Sequence, residues 1–263
     1  MSVRPALLVL LLTSTTSADE WSVGRDVPDA ERVALDQIDH SAWDALLKTY
    51  VDDRGRVDYA AWKADGTATL DAYLGQLSRG DRDADAPPAA RLAFWINAYN
   101  AVTVRGVLRE YPTTSIRNHT AKLWGYNIWE DLYLPVDGRR YSLDAIEHEV
   151  LRKMGEPRIH FAIVCASVGC PRLLNRAYTG GSLDEQLDAN ARDFFAQPSN
   201  FRIEGDTVYL SSILDWFGED FGDSTGAVLG RIRQWVPEGD RDKLAGRLEV
   251  EYLDYDWSLN DRP

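Results

Sequence analysis

Cysteine is scarce in this sequence, with Cys165 and Cys170 the only two among 263 residues. That excludes a small scaffold stapled by several disulfides. It also argues against a zinc centre, because the two sulfurs lack a second pair and His40, His119, His148 and His160 are scattered along the chain. Basic residues are outnumbered, 29 Lys and Arg against 42 Asp and Glu, for a formal charge of -13, and no basic run interrupts the balance. Attraction to phosphate backbones or anionic lipid is therefore opposed, and nucleic acid is excluded as a partner. No apolar run reaches bilayer-spanning length, so stable membrane insertion is not expected. Internal repeats, low-complexity segments and heptads are missing as well, which removes solenoids and coiled coils from consideration. No cofactor and no metal is expected.

What the chain does have is material for a core: 44% hydrophobic residues, 11% aromatic, and nine Trp. Its first residues combine Arg4, a short apolar run from Ala6 to Leu12, and Thr16 and Ala18 at small-residue positions ahead of Asp19. This is the pattern of a secretory leader over residues 1–18, predicting an exported protein, periplasmic or secreted, in an oxidising compartment. Residues 19–263 read as a single α+β domain, with helices packed on a small, mostly antiparallel sheet. Trp43, Leu46, Leu47 and Tyr50 share a helical stripe, as do Leu70, Tyr73, Leu74 and Leu77. Ala89 to Leu108 is apolar around most of its circumference and predicts a helix buried on several sides. Asp137-Gly138 and Gly205-Asp206 are hairpin turn signals, and Ser142 and Ser182 are helix N-cap candidates. Ile159 to Ala166 is a continuous apolar run of strand length.

Several polar residues fall where apolar ones belong. On the helix after Ser142, Glu147 lies in the middle of the face formed by Leu143, Ile146, Val150, Leu151 and Met154, with His148 at its flank. A carboxylate buried there needs a cation, a donor or a raised pKa, and a structural ion pair satisfies it as well as a catalytic role does. Asn97 and Asn100 sit in the apolar FWINAYNAV, and Asn190 lies between Leu187 and Phe194. Such amides tie loop backbone to a helix, or one of them donates to an oxyanion. If 159–166 is a strand, alternation puts His160 on one face and Cys165 on the other. Pro171 directly after Cys170 suggests a helix start, with the sulfur at its positive end and a depressed pKa. In an oxidising compartment a Cys165–Cys170 disulfide is the competing reading.

The blocks LAFWINAYNAV, YSLDAIEHEVLR, RIHFAIVCASVGCPRL, SLDEQLDANARDFF and LSSILDWFGEDFG, in this order over about 92–222, resemble the domain of unknown function 547 family, which has exported bacterial members. The resemblance implies that Asn97, Asn100, Glu147, His148, His160, Cys165 and Cys170 belong to the family's motifs. The sequence departs from the family's expected CPPL by reading CPRL after the second cysteine. The family carries no established activity, so function rests on the residues. Two readings follow. In the first, the chain is an exported thiol enzyme, a hydrolase or acyl transferase acting on a small-molecule or peptide substrate, with a papain-like site in permuted chain order. Cys170 is its nucleophile, His160 or His148 the base, Glu147 the orienter of the histidine, and Asn97 an oxyanion donor. In the second, it is a binding or structural domain without turnover, its cysteines bridged and Asn100 and Asn190 structural.

Overall fold

The computed structural model describes residues 21–120, 126–246 and 248–262; the leader-like residues 1–18 and the start of the Leu123–Pro135 segment lie outside them. Helix α1 (Ser41–Tyr50) is followed by α2 (Tyr59–Ala61), which runs through a π turn, Trp62–Gly66, into α3 (Thr67–Leu77). Their aromatic residues interlock: Trp43 stacks on Tyr73 at 5.8 Å between centroids and Tyr50 on Trp62 at 5.0 Å. They cover one side of α4 (Pro88–Glu110), which starts on Pro88 because proline lacks only an N–H that the first turn leaves unpaired anyway. Phe94, Ile96, Val102 and Val104 of α4 are all fully buried on different sides of the helix, so it forms the axis of the core, as its apolar circumference predicts.

Among the described residues the strands form three small sheets, two of them mixed, instead of one mostly antiparallel sheet. Strand β1 (Trp21–Ser22) runs parallel to β4 (Leu132–Val136), and β4 is antiparallel to β5 (Arg139–Ser142). The β4–β5 turn is Asp137-Gly138, both with positive φ, the geometry a two-residue hairpin requires. Strands β2 (Val33–Ala34) and β3 (Gly80–Asp81) make a short parallel pair. The third sheet has β6 (Phe201–Glu204) antiparallel and β8 (Glu249–Leu253) parallel to the central β7 (Thr207–Ser211). Helices α5 (Leu183–Ala196), α6 (Ser212–Trp216) and α7 (Thr225–Ile232) complete this half. Among the described residues no helix is long and apolar enough to cross a membrane.

Buried side chains fall into two clusters, a larger one around α4 and a Phe-rich one around α5. They meet at residues 157–166, where Ile159 and Val164 point into the first and Phe161 into the second. This segment is not the strand its apolar run predicts. Pro157 opens a 3-10 turn, Pro157–Phe161, and the Glu156 carboxylate caps it by accepting from the Arg158 N–H at 3.0 Å. Beyond it the backbone finds side-chain partners in place of a neighbouring strand. Asn100 donates to Ala162 O at 2.9 Å and accepts from the Val164 N–H at 3.0 Å; Asn190 donates to Phe161 O at 3.1 Å. The run is apolar because it is buried on all sides, and burial does not distinguish a strand from a pinned loop.

Candidate active site

The buried asparagines of α4 and α5 hold a single long loop, residues 161–178, against the core. Asn97 uses both ends of its amide on Tyr178, donating to its carbonyl at 2.8 Å and accepting from its N–H at 2.9 Å. Asn190 also bonds the Tyr178 hydroxyl at 2.9 Å and accepts from Arg172 Nε at 3.0 Å. Asn97 therefore serves the loop backbone and is not placed as an oxyanion donor. The C-terminal tail closes the loop from outside: Val168 and Gly169 donate their N–H groups to Ser258 O and Asp256 O, both at 2.8 Å, and the Asn260 N–H donates to Ala166 O at 3.0 Å. Ala166 has a positive φ of 58°, a conformation that costs a residue with a Cβ and that concentrates at functional loops.

The two cysteines meet inside this clamp. Cys170 is not at a helix N-terminus, since residues 171–174 after it are not helical. Its sulfur is served by hydrogen bonds instead. Cys170 Sγ accepts from the Cys165 N–H at 2.9 Å and from the Tyr255 hydroxyl at 3.0 Å. Ser167 Oγ donates to the Tyr255 oxygen at 3.0 Å, directing the single phenolic proton at the sulfur, and Cys165 Sγ lies 3.0 Å from Ser167 Oγ and 3.1 Å from the Tyr255 oxygen. The sulfurs are not bonded to each other. Burial opposes ionisation of Cys170, but hydrogen bonds from the Cys165 thiol, Tyr255 and the Cys165 N–H outweigh it and hold its pKa below the ordinary thiol value. The hydrogen bond to Cys170, together with burial, pushes Cys165 well up. The two sulfurs are thereby driven apart, Cys170 toward the thiolate and Cys165 toward the thiol.

Cys165 and Cys170 border a cavity of about 160 Å³ walled largely by aromatic rings, among them Tyr99, Trp129, Phe217 and Trp257. His160 lines the same cavity, so the strand-derived separation of His160 from Cys165 does not hold. Its ring stacks on Phe217 at 4.3 Å, and its Nε2 meets Asp220 Oδ2 at 2.7 Å. Burial lowers the His160 pKa against the opposing pull of Asp220, which keeps the imidazole neutral. The carboxylate bonded to His160 is therefore Asp220, and Glu147 has no bond to that histidine. Asp220 stays ionised despite partial burial because Arg152 and His160 hydrogen-bond to it, Arg152 Nε at 2.7 Å. Glu147 reaches the cavity from a π-helical stretch, Ala145–Leu151, and accepts from the Tyr99 hydroxyl at 3.1 Å. His148, next to it, bonds Arg152 at 3.1 Å through Nδ1 and does not line the cavity. On its other side Cys170 borders a larger, polar cavity of about 560 Å³ with Arg54, Arg56 and Arg172 in its walls. Among the described residues no group of three or more His, Cys, Asp or Glu is placed to hold a metal ion.

Residues 84–195 match the family model described as Protein of unknown function, DUF547. This segment is a DUF547 domain. No curated protein and no solved structure matches the chain. The DUF547 segment supplies both cysteines, His160, Glu147 and Tyr99, whereas Asp220, Phe217, Tyr255 and Trp257 come from beyond its matched C-terminal end. Sequence reasoning missed this second group. The dense aromatic pattern of EYLDYDW near the C-terminus was the available signal for Tyr255 and Trp257, but nothing local ties it to a loop some 85 residues earlier.

Gly55 bears on the same loop. It has φ +76°, and a Cβ there would lie 2.6 Å from Arg172 Cβ and 2.7 Å from Leu173 N. Gly55→Ala is expected to destabilise the protein by about 2 kcal/mol or more, combining the left-handed backbone penalty with a clash against main chain. Denaturant unfolding checks this; an unchanged midpoint would mean that the 170–173 backbone yields freely.

Proposed function

We propose that the protein is a thiol-dependent hydrolase or acyl transferase in which Cys170 is the nucleophile and His160, oriented by Asp220, is the base. The observation that carries this reading is the Cys170 sulfur itself, held below the ordinary thiol pKa by donors and open to a cavity that also contains a neutral histidine. The Cys170 thiolate attacks the carbonyl carbon of an ester or related acyl compound and displaces the alcohol or amine, leaving a thioester on Sγ. The leaving group takes a proton from solvent. Neutral His160 then removes a proton from water, or from an acceptor hydroxyl or amine, as that oxygen or nitrogen attacks the thioester. The acyl product departs, Cys170 returns as thiolate, and the His160 imidazolium releases its proton to solvent, restoring the one that the leaving group took. Asp220 fixes the imidazole tautomer and orientation throughout. An exported setting, expected from the leader-like first residues, is part of the proposal.

The test is single-turnover kinetics with p-nitrophenyl acetate. A burst of about one equivalent of p-nitrophenolate is expected, absent in Cys170→Ala and retained in Cys165→Ala. In His160→Ala the burst should survive while steady-state release slows by about 100-fold, the usual range for loss of a general base. An intact reduced protein without a burst overturns the enzyme reading. A Cys165–Cys170 disulfide in the native protein would favour the binding-domain alternative.

A further inference from the structure

The aromatic cavity contains a group that the thiol chemistry leaves unused. Glu147 is only 8% exposed and borders the cavity, and burial raises its pKa. Its hydrogen-bond partner among the described residues is the neutral hydroxyl of Tyr99, and no side-chain cation there lies within ion-pair reach of it. The basic groups whose charge acts on it are already engaged: His148 with Arg152, and Arg152 with Asp220 and Glu219. A carboxyl kept this far from water without a charge partner is costly unless something neutralises it. Around it stand Tyr99, Trp129, Trp216, Tyr255 and Trp257, together with Phe217, whose ring is already covered by His160 and Arg152. Such rings present the negative face of their π systems, and an aromatic enclosure with a carboxylate is the arrangement that attracts an organic cation in preference to a neutral group of the same shape.

We infer that this cavity is a cation site, taking a short alkylammonium group of the substrate between its aromatic walls with the charge against Glu147. The inference deepens the acyl-transfer reading, on which it rests for its catalytic meaning, by naming the substrate class: an acyl compound that carries an alkylammonium group. Size agrees. An apolar protein cavity of roughly 150 Å³ accommodates benzene, and the volume here is about 160 Å³. A basic side chain ending in a butylammonium group and a quaternary head group such as trimethylammonium are both of that scale. Trp216, 44% exposed and 4.9 Å from the Tyr255 ring, stands at the mouth, so the charged end enters past an aromatic face.

Calorimetric titration of the intact protein with n-butylammonium and tetramethylammonium chloride, set against the isosteric neutral n-butanol and tert-butanol, tests this. At least one cation should bind about tenfold more tightly than its alcohol; the better cation separates a basic side chain from a quaternary head group. Glu147→Gln should lower the preference several-fold, leaving the part contributed by the aromatic walls. Trp216→Ala, at a position 44% exposed, should weaken cation binding about threefold and leave alcohol binding nearly unchanged. Equal affinities for cation and alcohol in the parent protein overturn the inference, as does a preference that neither variant lowers. If Glu147→Gln fails to fold, Trp216→Ala decides alone. The same titration on Cys170→Ala keeps the two proposals distinct: cation binding that persists there without a burst in the parent refutes the thiol reading and leaves the cation site standing.

Discussion

At neutral pH a brief exposure to iodoacetamide is expected to alkylate Cys170 ahead of Cys165, and Cys170→Ala is expected to lose that fast labelling altogether. The rate follows the thiolate fraction. A thiol whose pKa is depressed is ionised above that pKa, so labelling of Cys170 should persist below the ordinary thiol value of about 8.5 and fall only as pH drops through the lowered one. Cys165, pushed up by its hydrogen bond to Cys170 and by burial, should react only in alkaline solution. Tyr255→Phe removes one donor to the sulfur. A hydrogen bond to a charged group is worth about 1.5 to 3 kcal/mol, or about 1 to 2 pKa units. The more basic thiolate that results regains about half of the loss through higher nucleophilicity. On the acid side of the profile Tyr255→Phe should therefore slow alkylation about 3- to 10-fold. Peptide mapping with a pH series reads all of this. Labelling of neither sulfur until a reductant is added would identify a disulfide, and preferential labelling of Cys165 would reverse the assignment of the two sulfurs.

The contrast between Cys170 and Cys165 also marks the boundary of what the sequence reveals. The choice of Cys170 rested on a helix N-terminus after it and a strand before it, and neither element exists. The same asymmetry arises from the Cys165 N–H and from Tyr255, whose hydroxyl the return of the tail brings to the Cys170 sulfur. Periodicity identified what depends on local pattern: the buried α4, the Asp137-Gly138 hairpin, and Glu147 on the inner face of its helix. Ser182 shows the local pattern failing too. It occupies the N-cap position of α5, but its hydroxyl donates to Gln186 instead of capping a backbone N–H. Pairings such as His160 with Asp220 span 60 residues and depend on how the two cores meet, which no window of sequence encodes. The one long-range feature within reach was the trio of inward amides. Asn97, Asn100 and Asn190 had to satisfy something, and that something is the loop bearing the cysteines.

Asn100→Ala should consequently be among the most damaging single changes in the protein. Asn100 is 1% exposed and is hydrogen-bonded to two backbone groups, Ala162 O and the Val164 N–H, in a segment that has no strand partner to replace it. Truncation leaves a buried carbonyl and a buried N–H unpaired, each at a cost of about 1 to 3 kcal/mol, for a total of about 2 to 6 kcal/mol. In a protein of this size 1 kcal/mol corresponds to roughly 2–4 °C in Tm, so a fall on the order of 10 °C is expected. Asn118→Ala is the control. Its amide bonds only the Thr113 and Thr114 hydroxyls at the exposed surface, where a change within about 0.5 kcal/mol is usual. Because Val164 immediately precedes Cys165, whose N–H holds the Cys170 sulfur, the effect should reach the chemistry. Well below its lowered Tm, Asn100→Ala should still alkylate Cys170 more slowly than the parent. A Tm within 2 °C of the parent, or unaltered alkylation in a clearly destabilised variant, would separate the amide clamp from the thiol site and show that the tail alone sets the sulfur's environment.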